Sequence, residues 1–167
     1  MKQLLLILLL LISFSSFSQS YNEIMSINSL NQFKRVMIEN YYEFDSEDDE
    51  VVIYGLNIQR DSIEGNKSSN WAFYNTNSDA FAIQISRQNA LAGLLEFALE
   101  ADEEIISLYD EVLEDVKNNC VYYDIITIEE EGTYDFVCYS CSESKYKGKI
   151  GFMISEGMGY IRHFPNE

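Results

Sequence analysis

Two β-rich runs, residues 121–128 and 133–140, flank Glu129, Glu130, Glu131 and Gly132, and a cysteine stands just outside each run, Cys120 before the first and Cys141 after the second. Tyr, Val, Ile, Phe and Thr suit a pleated, half-buried surface, and a short acidic loop ending in glycine is a hairpin signal. Pairing Ile128 with Thr133 makes opposed residue numbers sum to 261, which places Cys120 across from Cys141. Side chains alternate faces along a strand. The same register therefore sets Ile125 against Phe136 and Tyr123 against Cys138 on one apolar face, with Asp124 opposite Val137 and Ile126 opposite Asp135 on the other. The expected bridge is Cys120–Cys141, with Cys138 a buried small hydrophobe. A one-residue slip or a bulge would instead bring Cys138 across from Cys120.

A disulfide needs an oxidising compartment, and the first residues supply a route to one. Residues 1–20 carry a single cation, Lys2, then an unbroken apolar run over 4–12, then a stretch of small polar residues through Ser16 and Ser18. That is the layout of a secretory signal peptide. The run is too short for a membrane anchor, which needs about twenty apolar residues. Cleavage before Gln19 makes 1–18 the leader and 19–167 the mature chain, a single domain expected to be secreted or periplasmic and free of the membrane once cut.

Cys138, Tyr139, Ser140 and Cys141 also spell a CxxC. A structural zinc would have to recruit every remaining candidate, Cys120 and the lone His163. A redox pair belongs at a helix N-terminus, and this one ends a strand-like run. Neither fits as well as the disulfide, and no metal or other cofactor is expected.

The rest of the chain alternates helical stripes with short strands. Ile27, Leu30, Phe33, Met37 and Tyr41 recur at helical spacing, and Ser29 to Gln32 has the form of a capping box. A solvated acidic turn is expected over 45–50, a strand over 51–58, a polar loop over 57–69, and strands over 71–75 and 80–86. From 91 to 116 apolar residues fall at three-four spacing, which fits one long central helix, two with a break near 100–104, or a strand at 94–99. Strands follow at 121–128, 133–140, 149–155 and 159–164. The fold class is α+β with antiparallel sheets.

Shifted by 79 positions, the halves resemble each other: Phe73 falls on Phe152, Trp71 on Ile150, Phe81 on Tyr160, Ile85 on Phe164, and Phe33 and Met37 on Val112 and Val116. This reads as a tandem αβββ repeat over about 26–86 and 102–165. At the level of architecture alone, an exported chain of two αβββ-like repeats is similar to the β-lactamase inhibitor proteins, which bind a partner across concave sheets. No motif is shared, and no residue role carries over.

The charge excludes some partners and suggests others. With 28 Asp and Glu against 11 Lys and Arg, the formal balance is −17. Nucleic acid and anionic lipid are both held through clustered cations, so neither is an expected partner. The aromatic content, 14%, belongs to a packed domain and not to a disordered acidic tail. The acidic clusters lack calcium-loop spacing, and Asn66, Lys67 and Ser68 match a glycosylation acceptor. The one cationic concentration lies near the C-terminus: Lys145, Lys147, Lys149 and Arg162, with Tyr146 and Tyr160 among them. These six form the candidate binding patch. The favoured function is a non-catalytic, inhibitor-like binding protein with a protein partner; the acidic surface would suit a basic one. The alternative is a small hydrolase in which His163 works with a carboxylate; otherwise His163 reads as a strand residue facing solvent.

Overall fold

A computed structural model describes residues 21–86, 108–129 and 132–166. The leader and most of the central helical stretch read from the sequence lie outside these residues. The elements are α1 (Tyr21–Ser26), α2 (Leu30–Glu39), β1 (Glu43–Glu47), β2 (Val51–Leu56), β3 (Asn70–Asn75), β4 (Ala80–Ser86), α3 (Leu108–Asn119), β5 (Val121–Glu129), β6 (Thr133–Ser140), β7 (Gly148–Ser155) and β8 (Met158–Pro165). The strands form one antiparallel sheet of eight, in the order β1-β2-β3-β4-β8-β7-β6-β5. The order is a palindrome about the β4–β8 seam, where Ile83 pairs with Ile161.

The helices form where the sequence supplies caps and a stripe. The Ser29 hydroxyl accepts the Gln32 amide at the start of α2. At its end the Asn40 side chain donates to the Val36 carbonyl, and Tyr41 takes a positive φ of 62°. Phe33, Val36 and Met37 face the sheet. In α3 the inward stripe is Tyr109, Val112 and Val116, with acids in the first turn and Lys117 in the last, as the helix dipole favours. The core lies between these helices and one sheet face, built on Tyr74, Phe81, Ile83, Phe152 and Ile161. Phe33 meets Tyr54 edge-on at 5.9 Å, and Tyr109 meets Phe152 in the same way at 5.9 Å.

Three expectations change. The acidic stretch is not all turn: residues through Glu47 form edge strand β1, and only Asp48 to Glu50 turn, with the Asp48 carboxylate accepting the amides of Glu50 and Val51 at 2.9 and 2.7 Å. Each half therefore carries four strands, not three. The β5–β6 register sums to 261 only at the cysteine end; a bulge between Tyr122 and Asp124 shifts it to 262 beyond. Ile126, not Ile125, then faces Phe136, and Asp124, not Tyr123, faces Cys138. The 79-residue offset also fails within the sheet. Ile83 and Ile161 are 78 apart, so an odd offset maps the buried core residue Phe152 onto Phe73, which lies on the opposite face.

The bridge is as expected. Cys120 and Cys141 are bonded with Cα atoms 4.5 Å apart, and Cys138 is a buried free thiol. Among the described residues no helix is long and apolar enough to cross a membrane. The bridge is compatible with an extracellular or periplasmic protein.

Candidate functional site: the helix-free face of the sheet

Among the described residues α1, α2 and α3 all pack on one side of the sheet, and the other, helix-free face is the candidate surface. Strand pairing lays its side chains out in rows. One row runs Gly55, Trp71, Gln84, Tyr160 and Met153 across β2, β3, β4, β8 and β7. The next runs Ile53, Phe73, Ala82, Arg162, Gly151 and Cys138, reaching β6. Trp71, Phe73, Gln84, Met153, Tyr160 and Arg162 are all half-buried, exposed enough to touch a partner and packed enough to be held.

The rows are ordered by local contacts. Gln84 Nε2 donates to the Tyr160 hydroxyl at 3.3 Å, tying β4 to β8 across the seam. Arg162 stands between two small neighbours, Ala82 and Gly151, and its guanidinium lies 5.7 Å from the Phe164 ring. Phe164 meets Phe136 edge-on at 5.3 Å, which roofs Cys138. A Cβ on Gly151 would stand 2.9 Å from the Cys138 sulfur and 3.0 Å from the Phe136 Cβ, so glycine is what lets this second small cluster close. Lys149 sits over the Tyr123 ring at 4.4 Å and donates to Asn166.

Five adjoining strands, β2, β3, β4, β8 and β7, contain no Asp or Glu at all, and their only charged residues are Lys149 and Arg162. In a chain of net charge −17 every described acid lies in a loop, a helix or an outer strand. The result is an aromatic centre with two cations inside an acidic surround.

The six residues of the candidate patch divide. Lys149, Tyr160 and Arg162 share this face. Lys145 and Lys147 are exposed in the β6–β7 loop, at one end of the sheet, and the Lys145 amide donates to the Met25 carbonyl at 3.0 Å, fastening the loop to α1. Tyr146 turns to the core side and stacks on the His163 ring at 4.0 Å with 19° between planes. Trp71, Phe73, Gln84 and Met153, absent from the sequence-based patch, complete the face. Their signal was the alternation with Ala72 and Tyr74, hidden because both faces of β3 are apolar.

His163 does not face solvent. It is 1% exposed, with Phe81 at 3.7 Å between ring centroids on its other side, and neither ring nitrogen has a hydrogen-bond partner. Burial holds its pKa well below the ordinary histidine value, so the ring is neutral. No carboxylate reaches it within hydrogen-bond distance among the described residues. Cys138 is equally withdrawn: burial pushes its thiol up to about 11, and it donates to the Phe136 carbonyl. With Cys120 and Cys141 joined to each other, the CxxC offers no thiol pair to a metal or a redox partner. Among the described residues no group of three or more His, Cys, Asp or Glu is placed to hold a metal ion.

Comparison with protein-family models, with curated proteins and with solved structures finds no match.

Proposed function

We propose that the chain is a non-catalytic, exported binding protein that recognises another protein across the helix-free face of its sheet. The acid-free run of five strands carries this reading. Protein interfaces exclude charge from their centres and concentrate aromatic residues and Arg there, with charge at the rim. Trp71, Phe73, Tyr160 and Arg162 supply such a centre, and the surrounding acids supply a rim that would steer a basic partner toward it. The palindromic sheet fits a tandem repeat that widened one face by joining two units at the β4–β8 seam. The disulfide and the leader-like first eighteen residues support secretion or a periplasmic location. Burial of His163 leaves the hydrolase alternative without its base.

The test is capture from the native extracellular fraction on immobilised mature chain. A saturable partner should bind, weaken with added salt, and be lost to Arg162→Glu and to Tyr160→Ala. Absence of any saturable partner at low and moderate salt would overturn the reading.

A further inference from the structure

Among the described residues the sheet ends in two edge strands, β1 and β5. Unpaired edge backbone is a template for another strand, and chains blunt it with short length, charge, proline or bulges. β1 is blunted in these ways. It has five residues, three of them acidic, an irregular register between Phe44 and Ser46, and the Arg60 guanidinium donating to the Phe44 carbonyl at 3.2 Å.

β5 is treated differently. It has nine residues with no Pro, Lys or Arg, and its irregularity lies at Tyr122–Asp124, so 124–129 run in regular register. Val121, Tyr122, Tyr123 and Ile125 are 73, 55, 55 and 53% exposed. The Ile125 amide is engaged by the exposed Asp124 carboxylate at 2.8 Å. Amides alternate sides along a strand, so those of Ile125, Thr127 and Glu129 share one side, which this contact places outward. The edge thus has outward backbone groups, apolar side chains beside them, and a carboxylate already engaging a donor where a partner strand would lie.

Charge selects the occupant. Residues 121–144 contain six acids and no Lys or Arg. A second copy would bring an equally acidic strand from a body of the same net charge, −17. We infer that β5 accepts an extended segment of another protein as a ninth strand, one in which Lys or Arg alternates with apolar side chains. Backbone hydrogen bonds supply the docking and alternate side chains the selection. This edge is separate from the helix-free face and stands or falls without it.

The test uses the full mature chain and a short synthetic peptide alternating Lys and Val. Controls are its Glu–Val counterpart and two analogues N-methylated on alternate amides, each blocking one edge of the peptide strand. Binding is followed by fluorescence anisotropy and by the amide shifts of Ile125 and Thr127. One N-methylated analogue should bind at least about ten-fold more weakly while the other is unaffected, since only one peptide edge meets β5. Ile125→Lys should weaken the Lys–Val peptide comparably while melting as wild type, because that side chain is half exposed. Ile125→Pro, which removes an outward amide, is the second variant. Equal affinity for both N-methylated analogues, equal affinity for the Glu–Val peptide, no binding, or a β5-dependent homodimer in sedimentation would each overturn the proposal.

Discussion

Acid should destabilise this protein through His163, and the size of the effect follows from where the ring sits. A histidine kept neutral by burial binds fewer protons folded than unfolded once the pH drops below the unfolded value of about 6.5. Its folded pKa is depressed, so the folded chain resists protonation and stability falls with falling pH. The slope is about 1.4 kcal/mol per pH unit for as long as the folded ring stays neutral. The loss begins as pH falls through about 6.5 and continues for as long as the folded ring stays neutral. Phe81 and Tyr146 enclose the ring from β4 and from the β6–β7 loop, and no acid offers the imidazolium a partner. The comparison is His163→Leu, which keeps an apolar side chain between those rings and removes both unpaired nitrogens. Urea unfolding of the two proteins from above to below about pH 6.5 separates the His163 contribution from the many carboxylates, which titrate alike in both. The stability difference should move in favour of Leu as pH falls below about 6.5, with a slope approaching about 1.4 kcal/mol per pH unit. A difference that stays flat across the range would show that the ring is protonated or hydrated when folded, and the argument from burial would fail.

Other consequences are equally direct. Removing the bridge as Cys120→Ala with Cys141→Ala should cost about 3 kcal/mol in chemical denaturation, the loop-closure value for a separation of 21 residues. Gly159→Ala should cost about 2 kcal/mol or more, because the added methyl meets the Tyr109 ring under α3. Gly157→Ala, at φ 77° but in open space, should cost only about 1 kcal/mol. Ile161→Ala, a fully buried truncation at the seam, should cost about 2–5 kcal/mol and lower the midpoint seen by the lone Trp71, which lies in the other half. A Trp71 transition that Ile161→Ala leaves unmoved would mean that the halves unfold separately.

The pairing of Cys120 with Cys141 was legible from two strand-forming runs joined by a short loop, although the register counted from that loop, Ile128 with Thr133, is one residue off and the bulge between Tyr122 and Asp124 restores it at the cysteines. The bulge at Tyr123 was not legible, since Tyr122, Tyr123 and Asp124 have no turn chemistry to mark an extra residue. β1 was hidden because Glu43, Asp45 and Glu47 are poor strand formers that pairing with β2 overrides. His163 was misplaced for a related reason. Over 159–164 both alternating sets contain apolar residues, so period two alone does not say which set is inside. Gly159 settles it in the structure by admitting Tyr109, which fixes Ile161 and His163 on the helix side and turns Tyr160 and Arg162 outward. The candidate patch divided along that line. Lys149, Tyr160 and Arg162, clustered in sequence, share one face of the sheet, while Tyr146 lies on the other because its loop folds back over the core.

The distribution of acids argues that the face and the edge were shaped under different pressures. The strands nearest the seam carry no carboxylate, although both neighbours of the seam are half exposed on the helix-free side and nothing in their packing forbids an acid there. The outermost strands carry several, and they are placed unequally. In β1 the acids stand on a short, irregular strand, where they discourage pairing. In β5 they are spaced among exposed Tyr and Ile on a long regular one, and Asp124 spends its charge on an outward amide. A chain that needed only solubility would gain as much from acids on the central face and would blunt both edges. Instead, among the described residues, the central strands are left without acids and β5 keeps a long regular run, the two features on which the proposed face and edge contacts rest.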